Sequence, residues 1–211
     1  MSFIIFDTEY TAWEGCQENG WRGNQKKEVV QIAAIKVSNN LRVLAKFNAY
    51  CKPKINPVLS DYFMNLTHIT NAQIAQKGED FVDAYKRFEE FVKANICYSH
   101  SWGSDYLNKS DGLILEENLY LQNLKAEKNL IYRNIAPIFK QLYQENNILV
   151  RSQCCGEIAG ILGVEQNLRK SGLNPHNALY DVYSILEGLK HFYPRSIELM
   201  NAFMLHHKNN D

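Results

Sequence analysis

The sequence predicts an α/β layer fold, a mixed sheet packed by helices. Three observations predict it: β-leaning runs gather near the start of the chain, helical periodicity dominates its later part, and the opening MSFIIFDTEYT reads as a buried strand. In that opening, Phe3, Ile4, Ile5 and Phe6 are flanked by polar residues, as in a short central strand, and Asp7 and Glu9 stand where it would leave the core. EVVQIAAIKV (28–37) and RVLAKFNAYC (42–51) are two more such runs, joined by SNNL, whose Asn39 and Asn40 can take the positive φ angles of a tight hairpin. EDFVDAYKRFEEFVKAN spaces Phe81 or Val82, Tyr85, Phe88 and Val92 at helical intervals behind acidic residues, the pattern of an amphipathic helix. ICYSHS reads as a fourth, buried strand. NIAPIFKQLYQEN, QCCGEIAGILG and NALYDVYSILEGLKHFY read as helices, the last with Leu179, Val182, Leu186 and Leu189 on one stripe.

The 211 residues, 45% hydrophobic and 12% aromatic, suffice for one substantial core, and no Pro-, Gly- or Ser-rich stretch marks a linker. Residues 1–211 are therefore expected to form a single domain. The 23 basic residues balance 23 acidic ones, which argues against holding nucleic acid through a broad basic field and requires any such site to be compact. Five cysteines, with Cys154 and Cys155 adjacent and no C-x-x-C pair, fit neither a disulfide framework nor a zinc knuckle and suit a reducing cytoplasm. No basic segment leads into a long apolar run at the start, and no run of about 18 apolar residues occurs, so neither a cleavable signal nor a membrane span is expected. The closing LHHKNND reads as a frayed polar tail, in preference to a metal site at His206 and His207.

Three places carry chemistry. Residues two apart in a strand point to one face, so the carboxylates of Asp7 and Glu9 can converge on something above it; unpaired, they repel and raise at least one pKa. In SHSWGSDYLN, Asp105 follows the buried strand and a Trp-Gly-Ser turn; Asp111 lies a little further on as its alternative. In NPHNALYDVYSIL, Asn177 can cap a helix, placing Asp181 about one turn in while the His176 imidazole overhangs the same end. Taken singly each has an ordinary reading: a solvated strand end, a helix N-cap, a loop histidine, an acid complementing a helix dipole. Together, and in this order, they ask for a common explanation.

D-x-E ending the first strand, an Asp after a later strand and H-x-A-x-x-D opening a late helix resemble the DEDD superfamily of 3′-to-5′ exonucleases. The histidine places the resemblance in its DEDDh branch, with ribonuclease T and the proofreading subunit of a bacterial replicative polymerase. It runs from FIIFDTEYT through EVVQIAAIKV and NLTHIT to HNALYDVYSIL. Within the branch, DTEYTAWEG, GWRG and SHSWGSDYLN look most like the Eri-type exonucleases, which act mainly on structured RNA. The resemblance implies a ribonuclease H-like mixed β-sheet with helices on both faces. It also implies release of nucleoside 5′-monophosphates from 3′ ends of single-stranded or 3′-overhanging nucleic acid, RNA favoured.

Such hydrolysis needs an activated water and stabilisation of charge on the phosphate and leaving oxygen, which two divalent ions can supply. Hard ions such as Mg²⁺ or Mn²⁺ want carboxylate oxygens. By resemblance, Asp7 bridges two such ions, Glu9 and Asp181 hold the ion carrying the attacking water, and Asp105 supports the second. His176 takes the water's proton, its unperturbed pKa of about 6.5 suiting a neutral base. Thr11, Ala12, Trp13 and Leu66 are the implied substrate contacts, Ala12 through its amide and Trp13 with Leu66 by sandwiching the last base. Arg22, Lys26, Lys27, Arg169 and Lys170 read as solvated loop charges near the site. The competing readings are a DNA exonuclease of repair or proofreading, a phosphoesterase of small phosphates, and a non-catalytic nucleic-acid-binding member of the fold.

Overall fold

The computed structural model describes residues 2–101, 105–126, 128–150, 154–170 and 172–207. The elements are β1 (Ser2–Tyr10), α1 (Cys16–Asn19), β2 (Val29–Ser38), β3 (Val43–Cys51), α2 (Asp61–Thr67), α3 (Asn71–Lys77), β4 (Gly78–Glu79) and α4 (Phe81–Val92). There follow β5 (Cys97–Ser99), α5 (Asp111–Leu121), β6 (Tyr132–Asn134), α6 (Ala136–Glu145), a 3₁₀ turn (Cys155–Glu157), α7 (Ile158–Ile161), α8 (Gln166–Arg169), α9 (Ala178–His191) and α10 (Arg195–His207). The strands form one mixed sheet in the order β4-β3-β2-β1-β5-β6. β1, β2 and β3 pair antiparallel, while β4 is parallel to β3, β5 to β1 and β6 to β5.

β1 lies inside the sheet because it is apolar on both faces. Its alternating side chains send Phe3 and Ile5 toward Phe139 of α6 and Val182 and Ile185 of α9, and Ile4 and Phe6 toward Phe88 of α4 and Leu115 of α5. Helices therefore cover both faces. Burying residues such as Ile4, Ile5 and Phe6, none of which is measurably exposed, contributes about 1.5–3 kcal/mol each.

The strand is longer than its apolar run predicts. Pairing with β2 carries it on through Asp7, opposite Ala33, and Glu9, opposite Gln31, with a register shift only between Glu9 and Tyr10. On the other side, β5 pairs with Ile4 and Ile5 alone. Past Ile5, β1 keeps one neighbour and loses the other. The result is a crevice beyond the carboxyl end of a parallel pair, where α/β sheets commonly place ligands.

The hairpin between β2 and β3 forms, but the left-handed residue is Leu41 (φ +58°), not Asn39 or Asn40. Leu41 N–H donates to Ser38 O at 2.8 Å, and the Leu41 side chain is buried in the core on the α6–α9 face, which offsets the cost of its backbone conformation. α4 starts as its sequence predicts: Asp80 caps it, and Phe81, Tyr85, Phe88 and Val92 are buried. The expected frayed tail is helical as far as His207, whose ring stacks on Tyr106 at 5.2 Å; residues 208–211 lie outside the described residues. Among the described residues, no helix is long and apolar enough to cross a membrane.

Candidate active site

Strand alternation sorts the first acids. Asp7 and Glu9 share the parity of Phe3 and Ile5 and so face α9, while Thr8 faces α5. α9 brings Asp181 to meet them. Asn177 caps that helix, its Oδ1 accepting from Leu179 N–H at 3.2 Å, so Asp181 falls in the first turn. Gln31 of β2, fully buried, fixes the same helix end: its Nε2 donates to Asn177 Oδ1 at 3.3 Å and its Oε1 accepts from Ala178 N–H at 3.1 Å. His176, just before the cap, takes a left-handed backbone (φ +63°), and its N–H donates to Asp181 Oδ1 at 3.3 Å. A residue bent this way, in a conformation costing about 1–3 kcal/mol, must be held by its surroundings.

The fourth acid arrives from the opposite face, and it is Asp111. It is the first residue of α5 and buried; Thr8 Oγ1 donates to its Oδ1 at 2.6 Å and Ser110 Oγ to its Oδ2 at 3.1 Å. Asp105 is instead exposed, and its Oδ1 accepts from Leu107 N–H at 2.9 Å in a local turn. Of the two candidates for this position, Asp105 thus lies away from the cleft and its alternative Asp111 lines it, because α5 begins at Asp111. The Trp-Gly-Ser turn, Trp102 to Ser104, lies outside the described residues.

Asp7, Glu9, Asp111, Asp181 and His176 line one cleft of about 620 Å³. Of the expected substrate contacts, Ala12 and Leu66 line it too, joined by Tyr62 and Phe63 of α2. Thr11 does not: its hydroxyl donates to Lys26 O and its carbonyl accepts from Trp21 Nε1 at 2.9 Å, so it closes the loop before β2. Trp13 is half-buried in the turn ahead of α1 and is not among the lining residues. The basic side chains stay outside the cleft: Lys27 Nζ sits 4.5 Å from the Trp21 ring centroid and Arg169 pairs with Glu165.

The cleft is electrostatically unsatisfied. Burial, followed by the charges of Asp111, Asp181 and Glu9, holds Asp7 well above the ordinary carboxylate range; burial, followed by Asp181 and Asp111, does the same to Glu9. Burial raises Asp111 against the hydrogen bonds from Thr8 and Ser110, and burial with the nearby Cys154 charge pushes Asp181 up to about 7. None of the ion pairs among the described residues includes any of the four. Four converging carboxylates with no lysine or arginine among the lining residues fit hard divalent ions, which take oxygen ligands. His176 is raised, chiefly by its contact with Cys154, whose Sγ lies 4.0 Å from Nδ1. Cys154 falls to about 5 through its hydrogen bonds with Cys155 and then His176. His100, also lining the cleft, is lowered by burial to about 4 and is neutral at pH 7.

Two residues that sequence reasoning passed over shape the site. Cys155 Sγ lies 3.4 Å from Asp181 Oδ2 and 3.7 Å from Asp7 Oδ1. Gly156 lets Asp181 sit where it does, since a Cβ there would stand 2.5 Å from Asp181 Oδ1 and 3.1 Å from Pro175 Cβ. Ser184 clamps this segment to α9, donating to Gly156 O at 3.2 Å and accepting from Ala159 N–H at 3.0 Å. The only sequence signal was the adjacent cysteine pair itself.

Residues 4–189 match the RNase_T family model, described as Exonuclease. Among solved structures, the chain is similar to the nuclease domain of 3′hExo, a DEDDh family member, bound to rAMP, with TM-score 0.60 and 20% identity over 95% of this chain and 92% of that one. It is also similar to E. coli exonuclease I in complex with a dT13 oligonucleotide, with TM-score 0.71 and 17% identity over 98% of this chain and 44% of that one. Human ERI1 exoribonuclease 2 is 29% identical over 72 residues, which span 34% of this chain and 10% of that protein. With the family model covering most of its length, the chain belongs to the RNase_T exonuclease family and has the fold of the DEDDh 3′ exonucleases.

Proposed function

We propose that this protein is a metal-dependent 3′-to-5′ exonuclease that releases nucleoside 5′-monophosphates, with RNA as its preferred substrate and residues 1–211 working as one exonuclease domain. The observation that carries the reading is the convergence of Asp7, Glu9, Asp111 and Asp181 with His176 on one cleft of an exonuclease-family fold. The four carboxylates would hold Mg²⁺ or Mn²⁺, which would supply the positive charge that activates water and stabilises the phosphate. Asp7, deep in β1, lies between the other acids, with Glu9 and Asp181 on its α9 side and Asp111 on the α5 side, so all four would serve as ligands.

His176 accepts the proton of the attacking water. Its Nδ1 faces Cys154, which leaves Nε2 for the water, and its backbone bond to Asp181 keeps base and carboxylate in register. Leu66, Tyr62 and Phe63 offer an apolar wall to the terminal base, and Ala12 its amide to the terminal sugar. Stacking of that kind tolerates any base and is worth about 1–3 kcal/mol. Bound cations would draw the terminal phosphate locally, in keeping with a chain of zero net charge.

Support for RNA comes from the human exoribonuclease and from 3′hExo with rAMP; the dT13 complex of exonuclease I favours DNA as the second reading. Matched 5′-labelled RNA and DNA oligomers, incubated with Mg²⁺ or Mn²⁺, separate the two. We expect a ladder shortening from the 3′ end of RNA, absent with chelator or Asp7→Ala, and slowed about two to four orders of magnitude by His176→Ala. Faster shortening of DNA selects the second reading. No shortening of either refutes the activity.

A further inference from the structure

Hydrolysis by four carboxylates and a histidine leaves the buried thiol of Cys155 unused. Cys155 belongs to the core on the α6–α9 face, as Cys51 and Cys97 belong to the core on the α4–α5 face and Cys16 packs against α2, but its thiol is in addition directed at two carboxylates. Cys155 points between two acids. Its sulfur and one oxygen each of Asp7 and Asp181 all lie within 4.8 Å of one another. The backbone enforces this placement through the 3₁₀ turn, the Ser184 clamp and the missing Cβ of Gly156.

The spacing has the dimensions of a coordination site. With metal–sulfur bonds of about 2.3 Å and metal–oxygen bonds of about 2.0–2.2 Å, ligands on a tetrahedral ion are separated, sulfur to oxygen, by about 3.6 Å. The two separations in the structure, 3.4 and 3.7 Å, bracket that value. Carboxylates alone suit Mg²⁺ or Mn²⁺, whereas a thiolate among them selects a softer ion.

We propose that Asp7, Asp181 and Cys155 form a site for a single thiophilic divalent cation of the Zn²⁺ class, which competes with the hard ions for the same two carboxylates. The proposal rests on the reading that these acids hold cations. On binding, the thiol releases its proton to solvent and the thiolate forms the metal–sulfur bond. Three protein ligands leave the fourth tetrahedral position to water or to an oxygen of the substrate.

Cd²⁺ is the probe, because its bond to a thiolate gives an ultraviolet charge-transfer absorption that Mg²⁺ cannot. The wild-type protein should show this band, saturating at one equivalent and suppressed by excess Mg²⁺. Cys154→Ser should retain it. Cys155→Ser and Cys155→Ala should lose it, with Cd²⁺ affinity reduced by at least the roughly 10- to 100-fold that even an outer partner's loss costs a metal site. Melting curves of each variant establish that it is folded. A band that persists in folded Cys155→Ser overturns the proposal. So does its absence from wild type whose melting temperature still rises with Mg²⁺, an outcome that leaves the carboxylate site intact. If neither ion raises the melting temperature of wild type, the cation-binding reading falls with it.

Discussion

Replacing Gly156 with alanine drives a methyl group against Asp181. The new Cβ would lie 2.5 Å from Asp181 Oδ1, where ordinary contact begins at 3.4 Å, so something must move by the difference of 0.9 Å. Backbone strain does not contribute, because Gly156 is not among the glycines with positive φ. Pro175 Cβ, 3.1 Å away, blocks retreat on one side. Asp181 is itself only 2% exposed and held by His176 N–H and the Cys155 thiol. Overpacking of this kind costs about 1–3 kcal/mol. At about 2–4 °C per kcal/mol for a chain of this size, melting should fall by roughly 2–12 °C. The larger effect falls on turnover, since displacing a reacting group by about 1 Å costs on the order of 100-fold. Single-turnover shortening of 5′-labelled RNA at saturating Mg²⁺ reads the rate, and a thermal melt reads stability. Gly160→Ala is the control in the same segment, because its methyl meets only the flexible end of Glu165 at 3.3 Å. Wild-type rate and melting in Gly156→Ala would refute the view that this glycine sets the position of Asp181.

Two further predictions test the acids themselves. Asp111→Asn should slow exonucleolysis by about 10²- to 10³-fold or more, whereas Asp105→Asn, at an exposed turn, should stay within about twofold of wild type; equal losses from both would return Asp105 to the site. In chelator, the four acids have folded pKa values above their unfolded ones, so the unfolded chain gives up their protons first and the stability they contribute disappears as pH rises through the folded values, near 7 for Asp181. His176, also raised, acts in the same direction. The melting temperature of the metal-free protein should therefore fall from about pH 5 to about pH 8, and Mg²⁺ at about 100 times its dissociation constant should restore about 2.7 kcal/mol, or roughly 5–11 °C. A chelated protein whose melting is flat over that range contradicts the charge repulsion read from the cleft.

What the sequence made legible follows from how local each signal is. β1 and β2 announce themselves as nearly continuous apolar runs, α4 and α9 by helical period, and the helix cap at Asn177 fixes His176 and Asp181 within a few residues of one another. Asp111 has no such anchor. Its place depends on the path of the chain after β5, which no periodicity sets, and α5 opens on Ser110 in a positive-φ conformation without a side-chain cap. β4 and β6, of two and three residues, are too short to show alternation. Trp13 and Thr11 fail as cleft residues because their orientation is decided by the fold of the loop before β2, not by their distance from Glu9. The role of Cys155 was out of reach for the same reason: only the docking of its turn on α9 brings the sulfur between two acids remote in sequence.

The sidedness of β1 has a consequence for insertions and deletions. With Asp7 and Glu9 on one face and Thr8 on the other, adding or removing one residue between Ile5 and Asp7 would exchange the two, presenting the acids to α5 and the hydroxyl to α9. A change of two residues would restore the faces but carry the carboxylates along the strand by about 6.5–7 Å, past the end of α9 that meets them. The bulge between Glu9 and Tyr10 absorbs irregularity only beyond the last acid. Length variation is thus tolerable after Glu9, in the loop toward β2, and forbidden before it, so the spacing from Phe3 to Glu9 is as much a part of the proposed site as the residues themselves.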